Sequence, residues 1–141
     1  MPNTFSSKSL DRLHGVHPAL VDLCFAVLQV HDVTVVYGKR SIAEQMILFN
    51  NKLSKTMLSK HLQQEDGFAH AVDLCPYPIN WKNTKRFYYL AGMMLALSPR
   101  YLPSNYTLRW GGDWDSDNDL DDQTFMDLVH FELIETTNDR T

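Results

Sequence analysis

The sequence predicts an α+β fold in which a small sheet packs against helices. Short stretches that are rich in β-branched and aromatic residues, or that alternate apolar with polar residues, are typical of strands. They occur at residues 33–37, 69–74, 106–110 and 128–134. Longer stretches with apolar residues on one helical face are typical of helices that cover a core. They occur at residues 17–28, 41–51 and 84–97.

The N-terminal part is predicted to form a turn, a helix and a strand. Residues 9–16 read as a lead-in turn. The helix begins at His17-Pro18, because a proline near the first helical position loses no hydrogen bond. The stretch Val33–Tyr37 is β-branched and aromatic, and it therefore predicts the first strand.

A capping box opens the second predicted helix. Ser41 and Glu44 have the spacing at which each side chain can bond the other residue's backbone N–H. We expect this helix to run to about Asn51, with Gln45 on its exposed first turns. Arg40 precedes the helix at a strand-to-helix junction, which is a rigid and exposed place for a functional side chain, although most such arginines are merely solvated.

Prolines mark the ends of the next two elements. Asp73 is predicted to lie on a strand that ends at Pro76, because proline cannot continue a ladder. A long helix follows, with Thr84 as its expected cap. We expect Ser98-Pro99 to stop this helix.

The segment before the last predicted strand is rich in aspartate. Gly111-Gly112 predicts a tight turn, and the loop from Asp113 to Asp122 then holds six aspartates in ten positions. Such a loop is usually solvated. Its alternating carboxylates could instead bind Ca²⁺, although the central glycine and final glutamate of an EF-hand loop are missing.

The composition excludes several classes of function. The chain has 141 residues and a net charge of −4, and it lacks a Lys/Arg cluster, which argues against nucleic acid or an anionic membrane as partner. No apolar run is long enough to span a bilayer. The polar N-terminus lacks a signal-peptide pattern, so we expect the protein to stay in the cytoplasm until another agent releases it. Cys24 and Cys75 are expected to be buried thiols.

Two histidines and an aspartate are candidate metal ligands. On a strand, Ala69, Ala71 and Asp73 share one face, and the two alanines leave room beside the carboxylate. A buried carboxylate needs a compensating charge, which a metal ion supplies. With His61 and His130, Asp73 would make a two-histidine, one-carboxylate set, which is a ligand set of catalytic zinc.

The motifs around these residues resemble a known family. S-x-H at Ser59, A-x-A-x-D-L ending after Asp73, and D-x-x-H-x-E-L starting at Asp127 resemble the zinc D-Ala-D-Ala carboxypeptidase and L-alanyl-D-glutamate endopeptidase family. The stretch 108–114, Leu-Arg-Trp-Gly-Gly-Asp-Trp, is similar to phage endolysins of that family. The resemblance implies a Hedgehog/DD-peptidase fold, with a small antiparallel sheet and helices on one side. It also implies a single zinc peptidase domain over 1–141, with a catalytic core at about 16–135 and no separate cell-wall-binding domain.

The resemblance implies zinc held by His61, Asp73 and His130. The usual family spacing has six residues between the first two ligands, whereas eleven separate them here. The excess falls in the polar stretch 63–68, which reads as a loop insertion. The insertion makes His70 a competing ligand. His61 is the better choice, because His70 would point to the strand face opposite Asp73.

The resemblance also implies catalytic and substrate-binding residues. Asp127 matches the acidic residue that such enzymes use as general base, with Glu132 as its competitor or as a partner that orients a ligand. Arg40 matches an arginine that faces the substrate and stabilises its charge. Ser59 and Trp110 are expected to contact substrate.

The predicted function is zinc-dependent hydrolysis of the L-Ala–D-Glu bond in peptidoglycan stem peptides, causing bacterial lysis. A D-Ala-D-Ala carboxypeptidase or dipeptidase would use the same centre. A non-catalytic zinc-holding module is disfavoured by the presence of Asp127 and Arg40. The expected partners are bacterial peptidoglycan and, for release, a holin-type protein, and we expect a monomer.

Overall fold

A computed structural model describes residues 3–52, 59–121 and 126–136. Its elements are α1 (Ser7–Leu13), α2 (Pro18–Val30), β1 (Val33–Tyr37), α3 (Ile42–Asn50), β2 (Ala71–Pro76), α4 (Thr84–Tyr101), β3 (Tyr106–Gly111) and β4 (Asp127–Glu135). The predicted α+β class is confirmed. No helix in the described part of the chain is long and apolar enough to cross a bilayer.

The four strands form one antiparallel sheet in the order β1-β2-β4-β3. The two central strands, β2 and β4, are far apart in sequence but pair directly, with Asp73 opposite His130. Paired residues of antiparallel strands project from the same face of a sheet. The topology therefore brings two of the three predicted ligands together.

The hydrophobic core lies between the other face of the sheet and the helices α2 and α4. Its sheet side is formed by Val72 and Leu74 of β2 and by Phe131 and Leu133 of β4, all fully buried. These residues alternate with Asp73 and His130, so one face packs on helices and the opposite face carries polar groups. The two cysteines are buried and unpaired, as predicted.

The prediction of a lead-in turn at residues 9–16 was wrong, because α1 occupies much of that stretch. The Ser9 hydroxyl accepts a hydrogen bond from the Val35 backbone N–H at 3.0 Å, and Arg12 donates to the Val35 carbonyl at 2.9 Å. The helix thus satisfies backbone groups at the edge of β1. Its Leu13 side chain packs into the core, so α1 is held by both apolar and polar contacts.

The predicted boundaries of α4 were also wrong. Asn83 occupies the cap position, and Thr84 is the first helical residue. The helix continues through Pro99 to its end at Tyr101. Pro99 cannot donate to the Leu95 carbonyl, but the Ser98 hydroxyl bonds that carbonyl at 2.8 Å and replaces the missing partner.

The capping box of α3 is confirmed, whereas the exposure of Gln45 is not. Ser41 Oγ accepts from the Glu44 backbone at 3.0 Å, and Glu44 Oε1 accepts from the Ser41 backbone at 3.2 Å. Gln45 is fully buried and accepts a hydrogen bond from Arg40. The start of α3 is therefore tied to the Arg40 side chain.

Candidate metal centre and active site

The side chains of His61, Asp73 and His130 meet at one point on the polar face of the sheet. Asp73 Oδ1 lies 3.1 Å from His61 Nε2 and 3.2 Å from His130 Nδ1. The two ring nitrogens are 3.3 Å apart. Both histidines are buried. One atom from each residue thus forms a nearly equilateral triangle.

The size of this triangle fits a metal ion. A tetrahedral ion with ligand bonds of about 2.0–2.2 Å keeps its ligand atoms roughly 3.3–3.6 Å apart. The three distances between the donor atoms lie at or just below that range. The three residues also form one of the groups in the described chain whose donor atoms are close enough to share an ion. Three protein donors leave a fourth tetrahedral position for water or substrate.

The remaining nitrogen of each histidine has a fixed partner. His61 Nδ1 lies 2.8 Å from the Gly38 carbonyl, to which it can only donate. His130 Nε2 lies 2.8 Å from Glu132 Oε1, and Arg109 binds the other oxygen of Glu132 at 2.8 Å. These bonds place the proton of each neutral ring away from the triangle, so that the inner nitrogens present lone pairs.

The electrostatics of the triangle favour the charged form of its carboxylate. Burial raises the pKa of Asp73, but hydrogen bonds from His130 and His61 outweigh it and hold that pKa well below its usual range. Burial lowers the pKa of His130, whereas hydrogen bonds to Asp73 and Glu132 raise it to about 9. Without an ion, a proton on His130 therefore takes over part of the charge compensation that a metal would provide.

His70 lies away from this centre. Its Nε2 bonds Asp66 Oδ2 at 2.7 Å, and its ring packs edge-on against His17 at 5.3 Å. Asp66 belongs to the insertion 63–68, whose backbone closes with a hydrogen bond from Gln64 to Phe68. The insertion is thus fastened to a second His/Asp cluster, and the structure brings His61, rather than His70, next to Asp73.

Asp127 lies at the first position of β4, opposite Gly111 of β3. Burial raises the pKa of Asp127 and the charge of Asp73 raises it further, whereas the nearby histidines and Arg40 lower it. A Cβ at position 111 would collide with the Asp127 backbone carbonyl, so glycine permits this close approach. A carboxylate with a raised pKa beside the metal ligands is suited to proton transfer.

Arg40 is held at the entrance to α3, close to the metal ligands. Its Nη1 donates to Gln45 Oε1 at 2.7 Å, and its guanidinium carbon lies 4.4 Å from the centre of the Tyr37 ring. Its backbone N–H donates to the His61 carbonyl at 2.8 Å. Its Nε is buried and lacks a partner within the described residues. The Arg40 side chain is thus held by Gln45 and Tyr37 beside the loop that carries His61.

The two predicted substrate-contacting residues differ in position. Ser59 Oγ accepts from the His61 backbone N–H at 3.1 Å, which steadies the ligand loop. Trp110 is only 3% exposed, belongs to the core and donates to the Leu128 carbonyl. Its side chain is therefore not placed to contact a substrate, and this prediction is corrected.

Trp114 is the aromatic residue that the sequence reasoning overlooked. Its ring lies 5.4 Å from that of His130, and the Arg109 guanidinium lies 5.6 Å from its centre. It is partly exposed. Strand alternation could have indicated that Trp110 is buried. Leu108 and Trp110 share the core-facing side of β3, whereas Arg109 lies on the other side.

The aspartate-rich loop also gathers carboxylates. Asp113, Asp115 and Asp117 can each offer one oxygen within 4.8 Å of the others. Asp113 is 6% exposed, and its Oδ1 is buried without a partner among the described residues. Residue 122 of the predicted Asp113–Asp122 loop lies outside the described ranges.

Comparisons with known proteins agree with this geometry. The phage L-alanyl-D-glutamate peptidase family model matches residues 1–134. The L-Ala D-Glu endopeptidase ChiX of Serratia marcescens is 25% identical, with a TM-score of 0.73 over 94% of this chain and 91% of that one. The vancomycin-resistance D,D-dipeptidase VanXYg, solved with a D-Ala-D-Ala phosphinate analogue, is 18% identical, with a TM-score of 0.45 over 83% of this chain and 48% of that one. No curated protein matches the chain.

The family match and the likeness to ChiX confirm the predicted family, fold and enzyme class. The family match covers all of the residues that carry the four sequence motifs, and the triangle of His61, Asp73 and His130 lies within it. The chain belongs to the phage L-alanyl-D-glutamate peptidase family.

Proposed function

We propose that this protein is a zinc-dependent peptidase that hydrolyses the L-Ala–D-Glu bond of peptidoglycan stem peptides. The observation that carries the proposal is the triangle of His61, Asp73 and His130, with Asp127 and Arg40 close to it. Two imidazole nitrogens and one carboxylate oxygen, with one position open, are the ligand set of catalytic zinc. The family supports the choice of bond.

His61, Asp73 and His130 would hold the zinc ion, which would supply Lewis acidity to polarise the scissile carbonyl and to lower the pKa of the attacking water. Asp127 takes the proton from that water and returns it to the leaving amine. Its raised pKa brings it nearer to neutral pH, where it can both accept and release a proton.

Arg40 binds the oxygen on which negative charge develops, or a carboxylate of the peptide. Gln45 and Tyr37 hold the guanidinium in place before substrate arrives. Ser59 acts through the ligand loop, because its hydroxyl bonds the backbone of His61. Trp114 takes over the aromatic contact that was predicted for Trp110, since it lies beside His130 with part of its surface exposed.

A digest of purified peptidoglycan, analysed by mass spectrometry with and without a chelator, tests this function. Cleavage of L-Ala–D-Glu leaves L-Ala on the sugar and releases peptides that begin with D-Glu. Release of D-Ala instead would assign the alternative carboxypeptidase or dipeptidase activity, and unchanged products with a zinc-specific chelator would reject the metal.

A second cation is proposed for the aspartate-rich loop. Asp113 points a buried, unpartnered oxygen toward a loop in which Asp115 and Asp117 lie close by, and such hard oxygen donors suit Ca²⁺. Calcium titration followed by tryptophan fluorescence should show saturable binding that Asp113→Asn weakens. An identical titration curve for Asp113→Asn would remove this site.

We also propose where the protein is held before lysis and how it reaches the cell wall. A phage peptidase of this kind would remain in the bacterial cytoplasm until a holin-type protein opens the membrane, and would then act on the wall as a monomer. Expression in bacteria with and without a holin tests the release step. Lysis without a holin would contradict it.

A further inference from the structure

An exposed aromatic surface lies beyond the end of β2. We define it by Tyr77, Trp81 and Tyr89, whose side chains are 55%, 56% and 67% exposed. Tyr77 donates its backbone N–H to Asp32, and the Tyr89 ring packs against the neighbouring His31, so both border the same turn. Exposed aromatic rings that lie close together are candidates for contact with a partner.

The surface is rigid. The Trp81 ring stacks on the buried Phe87 ring, with centroids 5.8 Å apart and planes within 19°. One face of the indole is therefore covered by protein, and the exposed half of the side chain leaves the other face to solvent. The loop that carries it is fastened by a hydrogen bond from Arg86 to the Pro78 carbonyl. A preformed ring costs little ordering entropy on binding.

The chain segment that carries the aromatic surface is positively charged in an otherwise acidic chain, and Asp32 is the acidic residue at the turn beside it. Residues 74–112 contain no aspartate or glutamate, although the whole chain carries 17 such residues and a net charge of −4. Lys82, Lys85 and Arg86 lie in the segment between Trp81 and Tyr89. An anionic partner with flat apolar faces fits this combination of charge and rings.

We propose that the aromatic surface binds the glycan strand of peptidoglycan, an inference that rests on the proposed function. Sugar rings present C–H bonds on their faces, which pack on aromatic rings, and the stem peptides along the strand carry carboxylates that suit the lysines. The scissile L-Ala–D-Glu bond is the first peptide bond after the sugar, so the strand must pass close to the metal centre during cleavage.

The distance from the metal centre is compatible with one continuous substrate. Tyr77 follows Asp73 by four residues, which is roughly 13 Å at about 3.3 Å per strand residue. This length is comparable to a disaccharide repeat. A strand whose stem peptide occupies the metal centre would therefore have its neighbouring sugars within reach of the aromatic surface.

A bilayer fits the same residues less well. An interfacial membrane site is usually an amphipathic helix that inserts one apolar face. Trp81 and Tyr77 lie on a loop, and Trp81 presents a ring face because its other face is stacked on Phe87. Asn80 and Asn83 separate the rings with polar amides, which suit sugar hydroxyls.

The test measures binding to purified sacculi by sedimentation, in an Asp127→Asn background that leaves the wall intact. Trp81→Ala and Tyr77→Ala should each weaken binding by roughly fivefold or more, the low end of what removing a stacking ring costs on other polymer-binding surfaces. Trp81→Phe should restore most of the binding. Tyr101→Ala, which removes a 40% exposed ring at the far end of α4, is the matched control and should bind as the parent does.

A soluble peptide that contains L-Ala–D-Glu, without sugar, separates this inference from the proposed function. In the active protein, Trp81→Ala should hydrolyse that peptide at the parental rate, which also shows that it is folded, while its lysis of sacculi falls. Parental binding of Trp81→Ala and Tyr77→Ala to sacculi would overturn the inference. The inference would also be overturned if these two variants lost binding to anionic lipid vesicles but still bound sacculi as the parent does. Failure of the parent to cleave the peptide would reject the proposed function instead.

Discussion

Replacing Glu132 with glutamine tests how the metal centre is supported. Glu132 is 5% exposed and joins His130 Nε2, at 2.8 Å, to Arg109, at 2.8 Å. Glutamine keeps an oxygen of similar shape but removes the negative charge. His130 then becomes a weaker donor of electrons to the ion, and the Arg109 guanidinium loses its ion pair.

The expected loss is about 10–100-fold in zinc affinity, which is the usual effect of a residue that orients a metal ligand. This corresponds to roughly 1.4–2.7 kcal/mol. Competition with a chromophoric chelator measures the affinity directly. Glu135→Gln, on the exposed end of the same strand, is the matched control and should leave affinity unchanged.

The outcome also decides between two candidate bases. If Glu132 only supports His130, Glu132→Gln should retain substantial hydrolysis once zinc is saturating. A protein that holds zinc with full affinity but has lost hydrolysis would refute the supporting role and make Glu132 the base.

Four further predictions concern the same centre. Asp127→Asn should keep zinc and lose roughly 10²–10⁴-fold in hydrolysis, the usual contribution of a general base; parental turnover would exclude it. Arg40→Lys should retain zinc and fold but lose about 10²-fold in turnover, because lysine cannot form the planar fork; an Arg40→Ala protein with parental rates would remove Arg40 from the site. His70→Ala should keep full zinc occupancy, whereas loss of metal there would transfer the ligand role from His61. The raised pKa of His130, about 9 against about 6.5 unfolded, means that its protonation stabilises the metal-free fold fully below pH 6.5, and this stability is lost as pH rises through 9. Zinc must displace that proton, so chelator competition should show apparent affinity rising about tenfold per pH unit between 7 and 8.5; a flat profile would contradict this.

Local patterns in the sequence were enough to predict much of the fold. The capping box at Ser41 and Glu44 bonds as its spacing requires, since both partners lie within one helical turn. The alternation around Asp73 predicted that His70 points away from Asp73, and the structure places the His70 ring against Asp66 instead.

The errors have tertiary causes. Helix α1 is held by hydrogen bonds to β1, and α4 passes Pro99 because the Ser98 hydroxyl bonds the carbonyl that proline leaves free. Gln45 looks like a surface residue from its type and position, but Arg40 reaches it and buries it. None of these contacts is visible in the periodicity of one segment.

Only part of the candidate site could be predicted from the sequence. The motifs and the family resemblance predicted His61, Asp73 and His130 as ligands, and the pairing of β2 with β4 brings Asp73 next to His130. Trp110 was predicted from the sequence as a substrate contact, whereas Trp114 was not considered. In the structure a tight turn after Trp110 separates them, with one ring in the core and the other beside His130.

The most direct test of the central claim combines metal content with product analysis. Elemental analysis of the purified protein should show one equivalent of zinc, absent in Asp73→Ala, and muropeptide mass spectrometry should show L-Ala left on the sugar and new peptides starting at D-Glu only when zinc is present. Undiminished cleavage of this bond by Asp73→Ala protein free of zinc would contradict the account.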